Sequence, residues 1–203
     1  VVCSGPSMGE FLTDNECGYI DKTGQIVIKP LFKAAYAFSE GLARVRRDRN
    51  AVFIDKTGKV IIETASRFAD SVSVGLSFVV AVARYGFINM KGEQVIAPQL
   101  EETRGFREGL AAVKRGGMWG YINPTGQIVI AANFNDAGNF SEGLAAVRVG
   151  RKWGYIDTTG QIIIEPQFGG DIPGFTNEHP TGADPFSEGL AAVRVGLRWG
   201  YID

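Results

Sequence analysis

Histidine occurs once and cysteine twice in 203 residues. That scarcity makes a zinc site of the usual ligand types hard to assemble, and it excludes a dense disulfide framework. Nor is there an excess of charge of either sign, since 21 Lys and Arg meet 22 Asp and Glu for a formal net charge of −1. A strong electrostatic grip on nucleic acid or anionic lipid is therefore not expected. The longest apolar run, around residues 78–83, is far short of the roughly 20 residues that a membrane-spanning helix needs, so no membrane insertion is expected. Glycine-rich phosphate loops, Gly-x-Ser-x-Gly elbows and Cys-x-x-Cys pairs are missing as well, and a single histidine removes most acid/base constellations. We expect no catalytic residue, cofactor or metal, and read the chain as not an enzyme. It begins with Val1, so a removed export signal is left open, and Val2 stands before Cys3 where lipoprotein processing would want a small residue.

What is present is ordinary globular composition, 45% hydrophobic and 21% charged, with an unusual number of glycines, 27, beside 13 Phe, 6 Tyr and 3 Trp. The glycines have a period. WGYID stands at residues 153–157 and 199–203, with WGYIN at 119–123, YGFIN at 85–89, AVFID at 51–55 and CGYID at 17–21. Its second position falls at Gly18, Val52, Gly86, Gly120, Gly154 and Gly200, in steps of 34 with a last step of 46, so the last copy carries a 12-residue insertion. Eleven positions earlier stands another glycine in five copies: Gly41, Gly75, Gly109, Gly143 and Gly189. Around it runs FSEGLAAVRVG at 140–150 and 186–196, with shorter variants at 38–45 and 106–114. One supersecondary unit has been repeated.

A 34-residue period also belongs to helix-pair repeats, so the local pattern has to choose. GLAAVRVG, KWGYID and QIIIEPQF are short runs rich in Val, Ile, Tyr and Trp between glycine-containing turns, which predicts three strands per unit in an antiparallel meander. The Asp-x-x-Gly or Asn-x-x-Gly spacing at Asp21, Asp55, Asn89, Asn123 and Asp157 predicts hairpin tips, with a side-chain bond to the backbone two residues on and a glycine at positive φ. Pro166 is expected to end pairing of the third strand, since proline cannot donate to a ladder. In residues 162–164 both strand faces are apolar, which predicts a sheet buried on both sides. Residues 1–17 read as a worn first hairpin or cap, with Phe11 in the position of Val147, and residues 18–203 as the array, interrupted at 169–184.

Lys152, Trp153, Gly154, Tyr155, Ile156 and Asp157, followed by Ile163, Ile164, Glu165, Pro166, Gln167 and Phe168, resemble the WG β-repeat family, named for its Trp-Gly pair and the VIxPxF strand that follows. The resemblance covers about nine tenths of the chain. It implies a chiefly bacterial origin and an interaction scaffold without a common activity, and it favours an exported or cell-surface setting. Ala51-Val52 replaces the Trp-Gly pair in the second copy, Tyr85 replaces Trp in the third, and Cys17 holds the Trp position of the first. Cys17 reads as a small buried hydrophobe, and a bond to Cys3 is left open.

The fold class expected is all-β, a repeat array stacked as an open solenoid or superhelix, with a closed propeller-like toroid as the alternative. The function expected is a non-catalytic scaffold that binds another protein, with self-association open. Two irregular places are the candidate contacts. In the third copy, Val72, Val74, Leu76, Phe78, Val80 and Val82 form an apolar stripe, of which Val74, Phe78, Val80 and Val82 are the candidate partner-binding residues. In the insertion, rich in Gly and Pro, Phe175, Asn177 and His179 are candidates, as long loops on rigid scaffolds often carry recognition. The alternative function is a glycan-binding module, with Trp119, Trp153 and Trp199 as stacking platforms, although core packing is the simpler role of each. Glu40, Glu108, Glu142 and Glu188 recur before a glycine and are expected to pair with Arg44, Lys114, Arg148 or Arg194 as a solvated ladder.

Overall fold

A computed structural model describes residues 1–3, 16–64, 69, 72–81, 83–169 and 182–203. Among the described residues there is no helix, and every sheet is small, antiparallel and open at its ends. The chain is the all-β repeat array that its local strand and turn pattern predicts, and it packs as two compact units, Val1–Gln99 and Leu100–Asp203.

The first unit holds β1 (Val2–Cys3), β2 (Cys17–Ile20) and β3 (Ile26–Phe32) in one sheet, then β4 (Ala34–Ser39), β5 (Leu42–Arg47), β6 (Asn50–Ile54) and β7 (Val60–Glu63) in a second. A third comprises β8 (Leu76–Ala81), β9 (Arg84–Asn89) and β10 (Gln94–Leu100), the last residue of which belongs to the second unit. The second unit contains β11 (Glu102–Arg107), β12 (Leu110–Arg115), β13 (Met118–Ile122) and β14 (Ile128–Phe134) in one sheet. Next come β15 (Asp136–Ala137), β16 (Leu144–Val149), β17 (Lys152–Asp157) and β18 (Ile162–Phe168), and finally the pair β19 (Ala191–Val195) and β20 (Arg198–Ile202).

The hairpin tips at Asp21, Asp55, Asn89, Asn123 and Asp157 are each closed by that residue's own side chain. The Asp157 Oδ1 accepts from Thr159 N at 2.9 Å, Thr159 Oγ1 at 2.7 Å and Gln161 N at 2.9 Å, while Gly160 at φ 88° donates to the Asp157 carbonyl. Asp21, Asp55 and Asn123 repeat the arrangement. The threonine hydroxyl, followed by backbone N–H groups, holds the Asp21, Asp55 and Asp157 carboxyls below the usual carboxylate range.

The third strand does not stop at its proline. Trp153 stands opposite Phe168 and Tyr155 opposite Ile164, so β18 spends two extra residues passing Gly154. The same register holds for Cys17 with Phe32 and for Trp119 with Phe134. Only glycine permits it. A methyl group on Gly154 would lie 2.7 Å from Pro166 N and closer still to the Ile164 carbonyl oxygen; Gly18, Gly86 and Gly120 face the same backbone. The proline costs no ladder bond here because its nitrogen faces the bare glycine. In the second copy Val52 fills the position, and the third strand lacks the two-residue excess there: Val52 pairs Glu63 and Phe53 pairs Ile62, a register shift remains between Phe53 and Ile54, and β7 ends after four residues.

Two further expectations are corrected. The expected three strands become four in the sheets β4–β7, β11–β14 and β15–β18, because the turn within each FSEGL-like run is itself a hairpin. Its two residues are Glu and Gly, both at positive φ, as at Glu142 (55°) and Gly143 (79°) between Ser141 and Leu144. Nor is the third strand buried on both faces: Ile26, Val27, Ile128, Val129, Ile162 and Ile163 are exposed, since each strand edges its sheet. Val2 stands opposite Gly18, and Phe11 lies outside the described residues. Cys17, buried as expected, is bonded to Cys3, the pairing that the sequence leaves open. With 14 residues of separation the bridge contributes about 3 kcal/mol by restricting the unfolded chain.

The WG glycines yield a paired prediction. Gly154→Ala forces Cβ onto backbone and should destabilise the second unit by about 3 kcal/mol, whereas Gly200, with nothing within 4 Å of that position, should accept alanine with a change below about 0.5 kcal/mol. Thermal or denaturant unfolding of the two variants provides the comparison.

Candidate interaction surface

Packing between neighbouring copies determines which side chains remain for a partner. The Tyr155 ring meets the Phe186 ring of the following copy at 5.0 Å between centroids and its hydroxyl donates to the Asp184 carbonyl at 2.7 Å. Tyr121 with Phe140 and Gly138, and Tyr19 with Phe38 and Tyr36, make the same pair of contacts. Burial pushes the Tyr19 hydroxyl up to about 12 and those of Tyr121 and Tyr155 higher. Ser39 and Ser141 likewise donate to the carbonyls of Val72 and Phe186 in the next copy.

The recurrent glutamates do not form the expected ladder with arginines. The Glu108 carboxylate accepts from Glu142 N at 2.8 Å and Gly143 N at 3.0 Å; Glu142 accepts from Glu188 N at 2.7 Å and Gly189 N at 3.0 Å; Glu40 accepts from Gly75 N. Each carboxylate caps the next copy's turn, because two adjacent residues at positive φ aim their N–H groups to one side, a small anion nest. The cations are used elsewhere. Arg44 lies over the Tyr36 ring, Arg148 donates to the carbonyls of Gly150 and Asn135, and Lys114 pairs with Glu102 at 2.9 Å. Val74, the only β-branched residue at this turn position, is held at φ 49° and has no carboxylate to pass on.

Two indoles of the glycan-stacking trio are covered. Trp119 and Trp153 are each 4% exposed, the first beneath Arg104 at 5.0 Å and the second against Phe168 and the Gly169–Gly182 backbone. Neither has an open ring face, so stacking at those two is corrected; Trp199, 50% exposed, keeps its face. The third-copy stripe is also divided. Val72 and Leu76 are buried in the first unit's core, Val74 is exposed on its turn, and Phe78 and Val80 are half-buried beside Tyr85, whose ring lies 5.6 Å from that of Phe78. Of the remaining candidates, Val82, Phe175, Asn177 and His179 lie outside the described residues.

The insertion is rooted at two glycines. A methyl on Gly182 would lie 2.6 Å from Gly169 Cα, and both residues are tied to Arg194, which accepts from Gly169 N at 2.7 Å and donates to the Gly182 carbonyl at 2.9 Å. Chain that leaves at Gly169 thus returns almost to the same point.

What recurs on the open surface is a feature that sequence reasoning missed. The first two residues of the third strand are apolar and exposed in copy after copy: Ile26 and Val27, then Val95 in the first unit, Ile128 and Val129, Ile162 and Ile163 in the second; Ile61 is exposed on the shortened β7. The sequence does carry a signal, the GQIVI and GQIII heads directly after the turn. Strand alternation alone cannot tell a buried face from an open one when both are apolar.

The repeat profile described as WG containing repeat matches residues 18–50, 85–119, 119–153, 153–177 and 181–196. The chain belongs to the WG containing repeat family. Its second copy, where Val52 and the shortened β7 lie, falls in the unmatched stretch between 50 and 85. No curated protein matches the sequence. Among solved structures the WG chain is similar to a protein of unknown function from Bacteroides caccae, with 17% identity over 70% of this chain and a TM-score of 0.33; the match spans 64% of that protein's length.

Two predictions belong to the WG turns and tyrosines. Val74→Asn relieves a β-branched residue of left-handed backbone and should stabilise the chain by about 1 kcal/mol, while Glu142→Ala should cost about 1 kcal/mol by uncapping the Glu188–Gly189 turn, both read from unfolding midpoints. Tyr19, Tyr121 and Tyr155 have folded values raised above the ordinary 10. Their stabilising contribution is complete below pH 10 and is lost as pH rises through about 12 and beyond. A spectrophotometric titration should therefore show these phenols ionising together with alkaline unfolding.

Proposed function

We propose that this WG-repeat chain is a non-catalytic scaffold that binds a protein partner along the heads of its third strands. The observation that carries the reading is the recurrence, at one repeat position, of exposed β-branched side chains on edge strands, as at Ile128, Val129, Ile162 and Ile163 in the second unit. Edge strands with bare aliphatic side chains invite a second polypeptide, and a surface repeated at fixed steps suits an extended one. Each residue is already about half covered, so full burial of one contributes roughly 1 kcal/mol, and binding strength accumulates over several copies. The half-buried Phe78, Val80 and Tyr85 add an aromatic contact in the first unit. Support for the non-catalytic part of the reading comes from the use to which the perturbed groups are put. The lowered carboxyls of Asp21, Asp55 and Asp157 close turns, and the raised phenols join neighbouring copies. The Cys3–Cys17 bond supports an oxidising compartment, in keeping with export or display at the cell surface.

The test is affinity capture from the source organism with wild-type chain, a Val129→Glu/Ile163→Glu variant and a Phe78→Asp variant. The double variant should lose partners held by wild type while its circular dichroism and melting temperature stay within about 3 °C, as expected for surface changes. Identical captured proteins from wild type and double variant would refute binding through the strand heads.

A further inference from the structure

One hairpin tip recurs between β5 and β6, between β12 and β13 and between β16 and β17, and two of these three are supplied with acceptors by the chain itself. In the fourth copy Lys114 stands between Glu102 and Trp119 on the flanking strands and pairs with Glu102 at 2.9 Å, while the Glu101 carboxylate accepts from Gly116 N at 2.9 Å and Gly117 N at 3.0 Å on the turn. In the fifth, Arg148 stands between Asp136 and Trp153, and Asn135 Oδ1 accepts from Gly150 N at 2.6 Å. The second copy departs from both. Lys33 holds the position of Glu101 and Asn135, and Ala34 that of Glu102 and Asp136. Arg46 accordingly lies between Ala34 and Ala51, with neither an acid nor a ring across from it. The turn adds Arg47 and Arg49 around Asp48, all of them exposed. Among the described residues no hydrogen bond or ion pair engages the guanidinium of Arg46, Arg47 or Arg49. Nor does an acceptor there reach Asp48 N, the counterpart of Gly116 N and Gly150 N, on a residue held at φ 54°.

We infer that the β5–β6 tip is a docking site for an acidic segment of a protein partner, one that brings two adjacent carboxylates. One carboxylate takes the place that Glu102 has in the fourth copy and pairs with Arg46. The other takes the place of Glu101 and accepts from Asp48 N. The occupant's chemistry comes from the chain itself, because the fourth copy fills both places with consecutive glutamates. Guanidinium groups suit it, since their forked, weakly hydrated donors match a carboxylate better than an ammonium does. Arg47 and Arg49 surround the turn with positive charge that only Asp48 opposes locally, which favours encounter with an acidic chain. Exposed pairs of this kind each contribute little, so the tip selects an acidic segment more than it grips one. The inference deepens the protein-binding reading and rests on it for the class of partner, but uses a different surface.

The probe is a capped synthetic peptide copying residues 98–103, PQLEET, titrated into the isotope-labelled 203-residue chain and followed by NMR. The amide of Asp48 and the Nε–H signals of Arg46, Arg47 and Arg49 should shift together with a dissociation constant of about 1 mM at low salt. The constant should rise at least about threefold when ionic strength is brought to about 0.15 M. Arg47→Ala/Arg49→Ala should weaken the peptide about fivefold or more, whereas Lys56→Ala/Lys59→Ala, the same loss of charge at another tip, should stay within about twofold. Lys33→Glu/Ala34→Glu gives this tip the acids of the fourth copy and should abolish the shifts without lowering the melting temperature. The analogue PQLQQT should not bind. An absence of shifts at about 10 mM peptide, equal weakening by the two alanine pairs, or equal binding of the analogue would each overturn the inference. Inorganic phosphate that moves the same signals at lower concentration than the peptide, at matched ionic strength, would overturn it in favour of a phosphate ligand. A failure here leaves the strand-head reading to its own test, since Val129 and Ile163 lie elsewhere.

Discussion

A missing β-carbon governs the architecture. Where the WG glycine faces the third strand, backbone meets backbone with no room for a methyl, and the strand uses the space to spend two residues more than its partner. That excess sets the register for everything after it. Phe32, Phe134 and Phe168 return opposite Cys17, Trp119 and Trp153, and a single residue then separates β3 from β4, β10 from β11 and β14 from β15. Val52 is the internal control, because with a side chain in this position β7 takes no excess residues beside it and ends after four residues. The glycine therefore acts less as a flexible point than as a shaped recess.

Neighbouring copies are joined by polar contacts of fixed spacing layered over aromatic packing. Tyrosine donates to a carbonyl of the next copy, serine donates to another, and glutamate accepts from the next Glu-Gly turn. The last of these also explains why glutamate tolerates left-handed backbone at φ 50–55°. Placing a non-glycine residue there costs of order 1 kcal/mol, and the carboxylate so displayed satisfies two N–H groups that a turn of this kind leaves pointing outward. Strain in one copy is thus offset in the next, and stability within each unit depends on nearest neighbours.

Much of the fold was legible because repetition multiplies weak signals. The WG period and the Asx turns could be read directly, since aspartate or asparagine with glycine three residues on has one local use in a hairpin. The extra strand escaped because its turn is Glu-Gly rather than Asn-Gly, and glutamate becomes suitable only through a contact with another copy. Proline as a strand terminator failed for a related reason, since the rule assumes a straight ladder and the WG glycine removes the assumption. Burial was the least legible property. Trp119, Trp153 and Trp199 occupy one slot, yet whether the ring is shielded depends on a covering strand that the pentapeptide cannot encode. The stripe at Val74, Phe78 and Val80 divides for the same reason, and the exposed heads of the third strands look like core until the sheet edges are known.

The glycine neck at Gly169 and Gly182 means that arc length and spatial displacement are decoupled there. Asp184 receives the Tyr155 hydroxyl as Gly138 receives that of Tyr121, despite the 12 additional residues between them. Closing a longer excursion between two fixed points costs only about 0.6 kcal/mol for each doubling of its length. The array can therefore accept foreign sequence at this joint without shifting its lattice, so the joint is the natural port for grafting a loop, a label or a small folded module.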